Sequence, residues 1–183
     1  MYSARSKQIG LTLIETMFAV AIVAVLLGLA NSSYSAAINA TRTGNSVANL
    51  VSTFLQVRNK ALIAGVDAVL CPSDNGAACT NGDHWEMGWI AFLATHGGSE
   101  RQSDDPLVWR QEALPPNVHL VSTVGRSRIH FQPNGNNAGS NATFTFCDGR
   151  GPKKAIAYAM GNNGYLHKTE PDAANVGAAC TSS

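Results

Sequence analysis

Glu15 lies within an otherwise nearly unbroken apolar run. Between Leu11 and Ala30 only Thr12, Glu15 and Thr16 are polar, and from Met17 to Ala30 there is no polar side chain at all. An isolated ionised carboxylate is very costly in lipid or in an apolar interior. In the centre of a membrane span an acid costs roughly 2.5–3.5 kcal/mol, so an acid there reads by default as a functional group awaiting a counter-charge.

The other residues able to do chemistry point away from catalysis. The five histidines (His84, His96, His119, His130 and His167) have no metal-ligand spacing. There is no Gly-x-Ser-x-Gly, phosphate loop or His-Glu-x-x-His. No enzyme activity, catalytic residue, metal or cofactor is expected. Asp74, Asn75, Asn81 and Asp83 could hold calcium with backbone carbonyls, but Asn/Asp-rich turns usually arise without metal. The four cysteines Cys71, Cys79, Cys147 and Cys180 allow three pairings, and zinc would want Cys-x-x-Cys or paired histidines. Cys71 with Cys79 would close a small loop, worth about 2.5 kcal/mol by loop entropy. Cys147 with Cys180 would staple a Gly/Ala-rich tail, worth about 4 kcal/mol.

Charge is low and nearly balanced, with 13 Lys and Arg against 12 Asp and Glu, so bulk electrostatics demand no polyanion. It is unevenly spread. Asp67 to Glu112 carries eight acids and two bases, and Arg126 to Lys168 carries six bases and one acid. Two faces that attract each other within one domain account for this. A basic surface of Arg126, Arg128, Arg150, Lys153, Lys154 and Lys168 offered to DNA is the alternative.

Several elements must position these groups. About twenty apolar residues as a helix span ~30 Å, the thickness of a bilayer core. Arg5 and Lys7 precede the run and no charge follows until Arg42, which puts the N-terminus in the cytoplasm and the rest in an oxidising periplasm. Helical spacing continues through Val47, Leu50, Val51, Phe54, Arg58, Ala61 and Leu62 to a stop at Gly65, with a weak point at Gly44. Eight short strand patterns follow: 66–70, 88–94, 107–113, 118–123, 128–132, 142–147, 154–160 and 165–168. Hairpin-length loops between them favour antiparallel pairing. Trp85 and Trp89 flank Gly88 and are expected at the sheet edge or its junction with the helix, with Gly88 at a tight backbone approach. On the strand "RIHF", Arg128 and His130 are expected on the wet face.

The order basic leader, Gly10, Leu11, then Glu15 as fifth residue of the apolar run resembles the class III leader of type IV prepilins and pseudopilins. "FLQVRNKALIAGVDAVLC", then Trp-x-x-x-Trp with Gly88 inside it, and later "RIHFQPNGNNAGSNATFTFCDGRG" resemble the GspH/FimT-like minor pilins and pseudopilins. The Cys71–Cys79 spacing and "CDGRG" look more like the pilus branch. The resemblance implies an α+β, type IV pilin-like fold, a long N-terminal helix packed on an antiparallel β-sheet domain. It implies a leader at 1–10, a transmembrane or filament-core helix at 11–30, an amphipathic continuation at 31–64 and a periplasmic β-rich domain at 65–183. Prepilin peptidase would cut between Gly10 and Leu11 and N-methylate Leu11. Glu15 would meet the N-terminal ammonium of a neighbouring subunit. Partners would be major and minor pilins or pseudopilins and an inner-membrane assembly platform. The resemblance thus implies a pilus tip or priming subunit. A protein H-type pseudopilin of type II secretion and a DNA-uptake pilin are the alternatives. DNA-uptake members carry Gly-Arg-x-Arg near the C-terminal strand, where this chain reads Gly164-Tyr165-Leu166-His167; Gly125-Arg126-Ser127-Arg128 occurs earlier.

Overall fold

A computed structural model describes residues 12–181. Helix α1 spans Leu13–Ala64 and is unbroken at Gly44. The chain divides into two compact units, one ending at Ile38 and the other running from Asn39.

In the second unit, α1 presents a stripe at intervals of three and four. Thr43, Ser46, Leu50, Phe54, Val57 and Ala61 are buried, with Val47 packed beside them. Val57 belongs to this stripe and Leu62 does not, being 39% exposed. The helix ends at Gly65, which takes φ +69° and donates to Ala61 O, the left-handed stop that favours glycine.

Eight strands follow, close to the expected positions: β1 Ala68–Pro72, β2 Trp89–Leu93, β3 Leu107–Gln111, β4 Val118–Ser122, β5 Ile129–Phe131, β6 Thr143–Asp148, β7 Ile156–Met160 and β8 Leu166–Thr169. They form two four-stranded antiparallel sheets, ordered β3-β2-β1-β5 and β4-β6-β7-β8. Lys154 falls outside β7 because Pro152 starts a 3-10 turn over Pro152–Lys154.

One core joins both sheets to α1. Phe54 packs edge-to-face on Phe131 of the first sheet and Phe144 of the second, with ring centroids 5.7 and 5.2 Å apart. Alternate residues of β1 serve different cores. Ala68 and Leu70 face α1, whereas Val69 and Cys71 join Ile90, Phe92 and Ala94 behind the sheet. Both faces of β1 are therefore buried, which explains its unbroken apolar sequence.

The tail is not irregular. Helix α2, Ala173–Thr181, packs behind the second sheet, where Ala179 meets Val121 and Cys147. Asp172 caps it, its Oδ1 accepting from the Ala174 N–H at 2.9 Å.

Candidate assembly site

Gly10 and Leu11 lie outside the described residues. In the first unit, Glu15 stands in the first turn of α1. Thr12 precedes the helix, and its Oγ1 accepts from the Glu15 N–H at 3.4 Å, with Glu15 in the acidic position of a Thr-x-x-Glu capping pattern. The free N–H groups of a first turn favour a carboxylate, and this offsets part of the cost of Glu15 without neutralising it. From Leu13 to Leu27 the large apolar side chains are all exposed, Leu13 at 79% and Phe18 at 67%. This half of α1 is long and apolar enough to cross a membrane.

In the second unit, polar contacts tie the helix to the sheets and their turns, among them three that are buried or part-buried. The first is Trp89 Nε1, which donates to Thr53 Oγ1 at 3.2 Å, while Thr53 donates to Asn49 O at 2.8 Å. Trp85 and Trp89 are both fully buried, Trp85 packing edge-to-face on Phe144. They fill the core at the junction of the sheets with the helix, the second of the two expected places, and do not cover the sheet edge. Gly88 between them takes φ +110°, and a Cβ there would lie 2.4 Å from Gln111 O, so no larger residue fits.

The second contact is Asp148 at the end of β6. Its Oδ2 accepts from the Thr43 hydroxyl on α1 and, at 2.6 Å, from Arg150 Nη2. Its Oδ1 accepts from Arg150 Nε and from the Arg150 N–H, both at 2.9 Å. Burial works against ionisation of Asp148. The Arg150 side chain, the Thr43 hydroxyl and the Arg150 N–H outweigh it and hold the carboxyl down at about 2.

The third contact is Arg58, whose Nε donates to Gly135 O at 2.9 Å and whose guanidinium lies 4.4 Å from the Tyr165 ring centre. A Cβ at Gly135 would come within 2.6 Å of that guanidinium. Arg58 thereby ties the turns after β5 and β7 to the helix.

The structure does not gather the six basic residues expected to form one surface. Arg128 does not face water. Its side chain is 11% exposed and donates to Glu100 Oε1 at 2.6 Å, Thr80 O at 2.8 Å and Asn81 Oδ1 at 3.3 Å. Arg150 is committed to Asp148. Arg126 follows β4, beside the Thr143 end of β6, whereas Arg150, Lys153 and Lys154 lie past its Asp148 end. Six strand residues separate these ends, roughly 17 Å. Lys153, Lys154, Lys168 and Arg126 are exposed, but Lys168 pairs with Tyr158, which pairs with Phe144, so it lies level with the Arg126 end of the sheet and away from Lys153 and Lys154.

Cys71 is bonded to Cys79, and Cys147 to Cys180, with Cα separations of 5.6 and 5.3 Å. The first closes the loop after β1, and the second pins α2 to β6. Asn75 Oδ1 accepts from the Ala77 and Ala78 N–H groups inside that loop, so it and Asn81 spend their oxygens on the protein.

Sequence reasoning did not single out Thr43, Thr53, Asp105 or Asp148. Asp105 is buried, its Oδ1 accepting from the Thr95 N–H at 3.0 Å and its Oδ2 from the Gln102 N–H at 2.9 Å. The Gln102 N–H first, then the Thr95 hydroxyl and N–H, hold its carboxyl at about 2 against burial. The signal for Thr43 and Thr53 was present, since both sit on the buried stripe where a polar residue must find a partner.

A long helix, apolar at its start and packed by its distal half on two antiparallel sheets, defines a type IV pilin-like subunit. Residues 46–164 match the family described as type II transport protein GspH, and residues 5–31 match the prokaryotic N-terminal methylation motif. The chain belongs to the GspH family and is a minor pilin or pseudopilin of the type IV pilin-like class. Among solved structures it is similar to the type IV minor pilin FimU of Pseudomonas aeruginosa, at 10% identity and TM-score 0.55, covering 71% of this chain and 90% of that one. It is also similar to the minor pseudopilin EpsH of the type 2 secretion system of Vibrio cholerae, at 14% identity and TM-score 0.50, covering 71% and 98%. A search of curated protein sequences finds no significant match.

Proposed function

We propose that this chain is a minor subunit of a type IV pilus, acting in the tip or priming complex from which the filament grows. The observation that carries the reading is Glu15 in the first turn of a helix whose large apolar side chains from Leu13 to Leu27 are exposed. Such a surface suits storage in a membrane and later burial among other subunits. Prepilin peptidase removes residues 1–10 and methylates Leu11; the new ammonium pairs with Glu15 of an adjacent protomer. The N-terminus faces the cytoplasm, the β domain the periplasm, and an inner-membrane platform extracts the subunit. Partner choice lies in the β domain. The stretches around Cys71–Cys79 and Cys147, which resemble the pilus branch, support this assignment.

The second reading, a protein H-type pseudopilin of type II secretion, is favoured by the description of the matching family. Deleting the gene in its native host separates the two. The pilus reading predicts a fall in surface pili counted by electron microscopy, with secreted proteins unchanged. Normal piliation with loss of secreted proteins would overturn it in favour of the pseudopilin.

A further inference from the structure

The turns after β5 and β7 meet around an open cleft of about 580 Å³. Gln132, Asn136, Asn137 and Ala138 line it from one turn, Asn162 and Asn163 from the other. No lining residue is charged.

The cleft is already built. Asn137 is fully buried; its Nδ2 donates to Asn141 Oδ1 at 2.6 Å and to Gly161 O at 3.1 Å, and its backbone N–H donates to Asn162 O at 3.1 Å. Arg58 holds the same pair of turns from the helix side. On the rim, Ala138 takes φ +50°, a left-handed conformation that strains an L residue with a side chain.

The side-chain amides of Gln132, Asn136 and Asn162 have no intramolecular partner among the described residues. Each of these lining amides thus keeps its donors and acceptor available beside the cleft, unspent on any described residue.

We propose that this cleft binds an uncharged saccharide. Sugar hydroxyls are both donors and acceptors, which is what free amides match. An apolar ligand would strand these amides unsatisfied, and a charged one would find no counter-ion in the lining. A nucleic acid would need cations that this cleft lacks. An extended peptide would find turns, not a free strand edge to lengthen. The fixed turns lower the ordering cost of binding. The inference does not depend on the assembly reading.

The test uses the full chain in lipid nanodiscs, free of sugar-headed detergent. Chitotetraose and maltotetraose are titrated separately to millimolar concentration, with saturation-transfer NMR and calorimetry as readouts. Binding of chitotetraose alone points to an N-acetylated glycan such as cell-wall strands; binding of maltotetraose points to an unacetylated polysaccharide. The Asn136→Ala/Asn162→Ala double variant, which removes no internal hydrogen bond, should unfold like the wild type and bind the sugar at least about tenfold more weakly. Saturation by neither sugar, affinity unchanged in the double variant, or a neutral peptide shifting the cleft amides where both sugars fail would overturn the proposal.

Discussion

Replacing Glu15 with leucine leaves the protein in the membrane and cuts its incorporation into filaments by at least about tenfold. Leucine at this depth favours insertion, so the amount of membrane-held protein should not fall. What disappears is the counter-charge for the N-terminal ammonium of a neighbouring protomer. That ammonium then enters an apolar bundle unpaired, and breaking one partner of a buried pair costs more than removing both. About 1.4 kcal/mol of lost docking free energy corresponds to each factor of ten. The measurement is the ratio of this subunit in sheared filaments to that in membranes, by quantitative immunoblot. Because Glu15 also sits in the first turn of α1, where Thr12 accepts its N–H, a Glu15→Gln variant separates charge from capping. Glutamine keeps the capping role and loses the charge, so it should fail nearly as badly as leucine. Full incorporation of either variant would refute charge pairing.

Asp148→Ala is expected to destabilise the body by about 2–3 kcal/mol, because it strands the Arg150 guanidinium and the Thr43 hydroxyl at the helix–sheet junction. The check is chemical unfolding of the full chain in detergent micelles, followed by fluorescence of the buried Trp85 and Trp89. The pH dependence has a definite sign. Folding holds Asp148 at about 2, below its ordinary 3.8. Its stabilising contribution is therefore complete above about pH 4 and disappears as the pH falls through about 2. Asp105, held at about 2 as well, adds to the same acid limb. The alanine variant should thus lose part of the wild-type slope in this window and keep the part that Asp105 supplies. An unchanged slope would contradict the pairing at the junction.

Much of this architecture was legible in the residues because the signals were local and periodic. The apolar run, the three-and-four spacing of Leu50, Phe54 and Ala61, and the eight strand patterns each carry their own period. The strands came out within a few residues of expectation, since turn glycines and prolines mark their ends. The pairing of those strands into two sheets was not legible, because antiparallel order depends on contacts far apart in sequence. Helix α2 was hidden for a similar reason. It is short, contains Gly177, and owes its place to the Cys147–Cys180 bond and to Val121. The basic residues illustrate the converse. Composition put six of them in one stretch, but the length of β6 holds Arg126 away from Arg150, Lys153 and Lys154, and Glu100 captures Arg128. Asp148 passed unnoticed as the lone acid in a basic segment, although a single acid among bases is the one most able to find a partner.

The central claim is that Glu15 acts on an N-terminus created by cleavage, and intact-mass and N-terminal peptide mass spectrometry of the protein purified from its native membrane tests it most directly. The account predicts a mature chain lacking residues 1–10 and beginning at N-methylated Leu11. A chain that keeps its leader, or begins at any other residue, would contradict it.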